Sequence, residues 1–176
     1  MSFKILDCTL RDGGYYTDWK FNPKLVKLLV KTLDNNGVDI IELGYKSPVI
    51  GGPYRKCNDG FISSIIDFKI KANLAFMIDV KDYIIDGKVN EPLIKDIIKP
   101  STVFKICRVA AKYNEIHYIP QIVKILQNLG YDVICNLMAI SKVLDGEIKE
   151  YIKTTKNLNL KATYIADSYG ALYPKN

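Results

Sequence analysis

The sequence predicts an α/β protein built on a parallel sheet of the TIM (β/α)8-barrel type, and three observations predict it. Short apolar runs rich in β-branched residues alternate with longer segments of helical period along the whole 176-residue chain, without a linker. Each strand-like run ends on a residue able to do chemistry, and in a parallel sheet those ends share one face. The marks of a doubly wound nucleotide-binding sheet are missing: no GxGxxG follows the first strand, no GxxxxGK(S/T) occurs, and Gly51-Gly52-Pro53 reads as a loop with no helix start behind it. The βα units number six, fewer than a closed barrel's eight, so the sheet is either open or the N-terminal portion of a larger barrel.

Element by element, the strand-like runs are Phe3–Cys8, Asp39–Gly44, Asn73–Val80, Thr102–Ala110, Asp132–Met138 and Ala162–Ala166. Between them the helical period predicts Pro23–Asn35, Phe61–Lys69, Glu91–Ile98, Tyr118–Leu129 and Glu147–Thr155. Pro23 behind Asn22 reads as a first-turn proline after an N-cap, and Asn36-Gly37 and Gly130 read as C-caps. The last residues, Tyr173-Pro174-Lys175-Asn176, follow the sixth strand and its loop directly.

Composition narrows the class. Nearly half the residues are apolar, enough to bury a core as one globular domain. No apolar run approaches the roughly 20 residues of a membrane span, and Asp7 interrupts the N-terminal run before a signal-peptide core can form, so the expectation is a cytoplasmic protein without a membrane partner. Cys8, Cys107 and Cys135 lie in apolar runs and Cys57 in a polar loop, with no CxxC pair, which predicts free thiols. The net charge of +6 is spread over solvated helix faces instead of forming a basic stripe, which argues against a nucleic-acid partner.

The segment Asp7-Cys8-Thr9-Leu10-Arg11-Asp12-Gly13-Gly14 carries the most chemistry. It sets a cation, a carboxylate and two glycines where the first strand stops. The paired glycines predict a sharp turn that aims Arg11 and Asp12 at one ligand; the same letters also fit a polar strand-to-helix turn with an Arg–Asp surface pair. Glu42 closes the second strand, Asp79 the third, Arg108 the fourth, Asn136 the fifth, and Asp167 with Ser168 the sixth. Asp79 and Arg108 read as helix caps or surface pairs as readily as site residues. His117, the single histidine, reads as a surface or capping residue.

The stretch DCTLRDGGYYTDWKF resembles the signature of the DRE-TIM metallolyases, the superfamily of 3-hydroxy-3-methylglutaryl-CoA lyase, isopropylmalate synthase and the 4-hydroxy-2-oxo acid aldolases, and is most similar to the aldolase-like branch. GVDIIELGYK resembles that family's second strand and IADSYGALYP its sixth-strand Asp-Ser-x-Gly segment. The resemblance implies residues 1–176 as the N-terminal portion of one barrel domain, truncated after about six βα units. It implies Asp12 as ligand to a divalent metal, Mg²⁺ or Mn²⁺, and Arg11 as the cation that stabilises an enolate, with Glu42 orienting metal-bound water or substrate. Asn136, Asp167, Ser168 and Tyr15 line the substrate pocket on this reading.

The chemistry asks for such groups. Breaking a carbon–carbon bond beside a carbonyl leaves an enolate of a 2-oxo acid such as pyruvate, with an aldehyde or acyl partner, and a hard cation and a guanidinium both stabilise it. Two departures from the family pattern stand out. Gly14-Tyr15-Tyr16 occupies the place of the aldolases' base histidine, and the family's His-x-His metal pair, expected on the strand after the Asp-Ser-x-Gly segment, does not occur in these residues. The first departure admits an alternative, a non-catalytic binding or assembly module on a degenerate aldolase scaffold. A barrel opened after its sixth strand is also expected to self-associate through its strand edges.

Overall fold

The structure, a computed structural model, describes residues 3–173. Its strands are β1 (Leu6–Asp7), β2 (Ile40–Tyr45), β3 (Asn73–Asp79), the short hairpin β4 (Ile84–Ile85) and β5 (Lys88–Val89), then β6 (Ile106–Ala111), β7 (Asp132–Leu137) and β8 (Ala162–Ile165). Its helices are α1 (Thr9–Thr17), α2 (Pro23–Asn35), α3 (Pro53–Lys56), α4 (Asp59–Ile65), α5 (Glu91–Ile97), α6 (Ile119–Asn128) and α7 (Asp145–Thr155). The main sheet has six strands, all parallel, in the order β1-β2-β3-β6-β7-β8; β4 and β5 pair only with each other. Each strand lies beside its predecessor with helical connections between, the wind of a (β/α) barrel and not of a doubly wound sheet. The expected fold class holds, in its truncated form.

Side-chain parity divides the sheet. Ile41, Leu43, Leu74, Phe76, Ile78, Cys107, Val109, Val133, Cys135 and Leu137 belong to the large core shared with Val26 and Val30 of α2 and Ile122, Val123 and Leu126 of α6. Phe76 anchors it, edge-on to Phe104 at 5.4 Å and to Tyr131 at 5.2 Å. The opposite face carries a separate small cluster of Ile40, Ala75, Ile106 and Ile134, flanked by Leu6 and Tyr164. Leu6 on one edge strand and Ala162 and Tyr164 on the other line a single cavity of about 270 Å³ together with Ile40, Arg108 and Ile134. The sheet therefore curves until strands far apart in its order face each other, and this inner surface is the concave face of a barrel.

Local chemistry explains the elements the sequence placed well. Asn22 accepts from Lys24 N and Pro23 opens α2, so that helix has its expected bounds. Gly37 and Gly130 stand at φ +79° and +90° behind α2 and α6, as C-cap glycines do. The α4 segment stops at Ile65 instead of Lys69, its start set by Asn58, which accepts from Phe61 N. The first strand shortens to Leu6–Asp7, although Asp39 still accepts from Ile5 N and pairs with Lys4.

Two segments differ from expectation. The motif after β1 is no sharp turn: residues Thr9–Thr17 form α1, and Gly13 and Gly14 are helical. Asp7 starts this helix by accepting from both the amide and the hydroxyl of Thr9. Gly14 is there for space, since a Cβ would lie 2.1 Å from Trp19 Nε1. Trp19 itself sits in the left-handed region at φ 52°, next to Asp18 at the same φ, a conformation that costs a bulky residue about 1–2 kcal/mol. Its indole offsets that cost by burial and by donating from Nε1 to the Arg11 carbonyl at 3.1 Å. In the second segment, Gly51-Gly52-Pro53 does open a helix, α3. Gly52 donates to Asp18 O at 2.9 Å, and its missing Cβ lets the loop lie against the Asp18 and Trp19 carbonyls.

The two glycines of the motif should therefore behave oppositely. Gly14→Ala, forced against the indole, is expected to lower unfolding free energy by about 1–3 kcal/mol. Gly13→Ala, whose Cβ would meet only Phe21 at 3.7 Å, should gain about 0.5–1 kcal/mol from helix propensity. Urea denaturation of both variants checks the pair.

Candidate active site

The site grows from the first two strands. Because β1 ends at Asp7 and α1 begins at Thr9, Arg11 and Asp12 leave the first turn of a helix seated over the C-terminal end of the sheet. Arg11 points down onto β2, where Glu42 is completely buried in the middle of the strand. Its Nε donates to Glu42 Oε1 at 2.8 Å. From the other side Arg108, central in β6 and 4% exposed, brings Nη1 to within 2.7 Å of the same oxygen. One buried carboxylate thus holds two guanidiniums. Burial alone would lower the Arg11 pKa, but the charge and hydrogen bond of Glu42 outweigh it and raise the pKa, so Arg11 is a permanent cation.

Around Glu42 two guanidiniums meet one carboxylate, and Asp12 lies beside them. The Asp12 carboxylate is half exposed and takes a bond from Arg11 Nη1 and another from the Cys8 thiol at 3.2 Å. Burial and that bond push the Cys8 pKa up to about 11, so the thiol is a proton donor at neutral pH and no nucleophile. Several buried atoms around the inner face have no partner among the described residues: Glu42 Oε2, Arg108 Nε, Asn136 Oδ1 and the Tyr164 hydroxyl. Tyr164 lies under Arg108, whose guanidinium carbon is 5.0 Å from the ring centre. Buried polar groups left free on a concave surface are what a ligand-binding face displays.

An aromatic brace holds the α1 side. Tyr45, at the end of β2, is 4% exposed and shares a hydrogen bond with the Tyr15 hydroxyl at 2.8 Å; burial, and then this bond, raise its pKa. Trp19 packs edge-on to both tyrosines, 4.8 Å from Tyr15 and 5.7 Å from Tyr45. Tyr15 is otherwise 62% exposed, at the rim.

The remaining sequence candidates fall in different places. Asn136 lies on the inner face, opposite Ala110 and Tyr164 in the ladder, and is 5% exposed. Asp167 follows β8, at the far edge of the sheet order from Asp12; it organises its own loop by accepting from Leu172 N, and such backbone bonds lower its pKa. Ser168 Oγ accepts from Ala139 N, tying that loop to the end of β7. Asp79 is half-buried beside Lys81 at 3.2 Å, and burial raises its pKa. His117 is exposed, in the 3-10 turn before α6, with its ring against Tyr118.

Tyr45, Trp19 and Tyr164 were not among the sequence candidates, and Arg108 was singled out only as a strand-end residue without a role. For Arg108 a signal existed: it is the one charge inside the buried run Ile-Cys-Arg-Val-Ala-Ala, and such a strand tolerates a charge only with a partner. The partner, Glu42, is remote in sequence.

A divalent cation needs several oxygen or nitrogen ligands. Among the described residues no three His, Cys, Asp or Glu side chains come together to hold one. Asp12 is a single donor, and Glu42 is engaged by both arginines. These residues by themselves do not fit a complete metal site.

The Arg11–Glu42–Arg108 group sets a measurable cost. Glu42→Gln leaves the buried Arg108 guanidinium without a counter-charge and Arg11 with only the half-exposed Asp12, and should cost about 3–5 kcal/mol in urea unfolding. A Glu42→Leu, Arg108→Met double variant, which removes both sides of one contact, should lose distinctly less than the sum of its singles.

The HMGL-like family profile matches residues 2–176. The chain is 29% identical to a 4-hydroxy-2-oxovalerate aldolase of Carboxydothermus hydrogenoformans, over 97% of this chain and 50% of that protein. It is 24% identical to 4-hydroxy-2-oxovalerate aldolase 3 of Rhodococcus jostii, over 96% of this chain and 49% of that protein. It thus spans about half the length of the curated relatives it matches. Among solved structures it superposes on the N-terminal domain of a proposed aldolase from Bacteroides vulgatus with a TM-score of 0.76 and 26% identity, over 97% of this chain and 56% of that one. With a profile match running almost from end to end, the chain belongs to the HMGL-like family, a family of lyases and aldolases.

Proposed function

We propose that residues 1–176 form the N-terminal portion of a single aldolase-type TIM-barrel domain that makes or breaks a carbon–carbon bond through the enolate of a 2-oxo acid such as pyruvate, with an aldehyde or acyl partner. The observation that carries this reading is the Arg11 guanidinium, fixed by Glu42 at 2.8 Å over the C-terminal end of a curved parallel sheet. When the bond beside the carbonyl breaks, its electron pair moves onto the keto oxygen, and a guanidinium already clamped in place stabilises that oxygen without reorganising. Glu42 positions Arg11 and keeps it charged. Asn136, with its free Oδ1, Tyr15 at the rim and the Asp167–Ser168 loop are the substrate contacts of this proposal. Among the described residues Asp12 would contribute a single ligand to Mg²⁺ or Mn²⁺. Cys57, Cys107 and Cys135 are buried free thiols, in keeping with a cytoplasmic, reducing setting. Among the described residues no helix is long and apolar enough to cross a membrane.

Deuterium exchange into the methyl group of pyruvate, followed by proton NMR with Mg²⁺ or Mn²⁺ present, tests the reading in the protein that carries this chain. Exchange is expected above the buffer rate and should fall about 100-fold or more in Arg11→Lys, whose point charge cannot reproduce the fork. Exchange at the buffer rate favours the second reading, a non-catalytic binding or assembly module, for which Gly14-Tyr15-Tyr16 in place of the aldolase base is the specific observation.

We further propose that the 176-residue chain on its own self-associates. In the described structure β1 pairs only with β2 and β8 only with β7, and Phe3, Ile5 and Ile165 are exposed along those edges. Sedimentation velocity should show a concentration-dependent shift to larger species; a single monomer at high concentration refutes this.

A further inference from the structure

The lysines and arginines that the fold takes out of full exposure are Arg11, Lys27, Lys46, Arg55 and Arg108 among the described residues. Four of them have carboxylate partners: Arg11 and Arg108 on Glu42, Lys27 on Asp67, and Lys46 on Asp59. Arg55 has no carboxylate partner among the described residues, and its Nε is buried without a hydrogen-bond partner. A partly buried cation without a counter-charge is unfavourable unless aromatic faces, water or a bound anion complete it.

Its placement is specific. The guanidinium carbon lies 4.4 Å from the Trp19 ring centre and 5.3 Å from that of Tyr45. Its stem presses on Gly51, where a Cβ would come within 2.9 Å of Cδ. Nε is buried, whereas the terminal Nη1 and Nη2 are not among the buried unpartnered atoms, so an oxoanion would meet the guanidinium at its Nη1–Nη2 end, through parallel hydrogen bonds. The rings that hold Arg55 are the ones that brace the active site, since Trp19 donates to the Arg11 carbonyl and Tyr45 bonds Tyr15.

We infer that Arg55 is an anion-recognition residue on the rim of the site, taking a carboxylate or phosphate group of the molecule that reacts with the 2-oxo acid. Assigning that group to the second substrate rests on the aldolase reading; the anion site itself does not. The competing account is a purely structural cation–π latch on Trp19, which predicts no response to anions.

Trp19 is the only tryptophan in the chain, so its fluorescence reports on Arg55 directly. Inorganic phosphate and succinate are titrated separately into the 176-residue chain at constant ionic strength. A saturable change in emission is expected with one or both: phosphate alone assigns a phosphorylated partner, succinate alone a carboxylate-bearing one, and both a site for either oxoanion. Arg55→Met and Arg55→Gln should weaken the response by about tenfold or more, with far-UV circular dichroism unchanged. Arg55→Lys, which keeps charge and stem but loses the fork, should fold and bind more weakly than the parent, and it decides the matter if the other two do not fold. No response to either anion, or variants that respond like the parent, overturns the proposal. Pyruvate methyl exchange separates it from the reading above: an emission response without exchange leaves the anion site standing and removes the aldolase reading, whereas exchange without an emission response removes only the site.

Discussion

Glu42 is fully buried, and a single one of its oxygens meets both Arg11 and Arg108. Taking a carboxylate out of water costs several kcal/mol, so it is tolerated in a strand interior only where cations come to it. That requirement ties three elements together: α1 is drawn down over the end of β2, and β6 is held two strands away with its guanidinium reaching across the concave face. The same contact keeps Arg11 charged and holds its guanidinium in place, as the proposed role at a developing oxyanion requires.

Around that contact the α1 corner is locked by shape. A helix containing two glycines is weak by propensity, yet Gly14 is what lets the Trp19 indole close over it, and the indole in turn reaches the carbonyl of Arg11. Trp19 accepts a left-handed backbone to do so. Strain in the backbone, close approach of Gly52 to its carbonyl and stacking of Arg55 on its ring all converge on Trp19, so the residues that present Arg11 are supported from below by β2 and from the side by the aromatic brace.

The two faces of the sheet do different work. The outer one is continuous hydrocarbon under helices and supplies the burial that holds the domain together. The inner one is mixed: a narrow apolar floor of Ile40, Ala75, Ile106 and Ile134, and above it Glu42, Arg108 and Asn136 with polar atoms left free. Such a surface contributes less to stability than an apolar one would, the usual cost of a site that must bind polar ligands.

The period of the apolar residues, the caps at Asn22, Gly37 and Gly130 and the polar residues closing the strands were enough to determine a parallel βα fold and its order, and to single out Arg11, Asp12 and Glu42 as candidates. These are local signals: propensity, capping and strand-end chemistry act over a few residues and are written in consecutive letters. Tertiary structure alone decided that Gly13-Gly14 is helical, because the reason for Gly14 is an indole packed against it and not its own backbone freedom. It also decided that Arg108 belongs with Glu42, that Trp19 and Tyr45 brace the site, and that Arg55 stands without a carboxylate among the described residues, since each depends on which side chains the curvature of the sheet brings within a few ångströms. Pairings across that distance are fixed by packing, and packing has no signature in a single stretch of sequence.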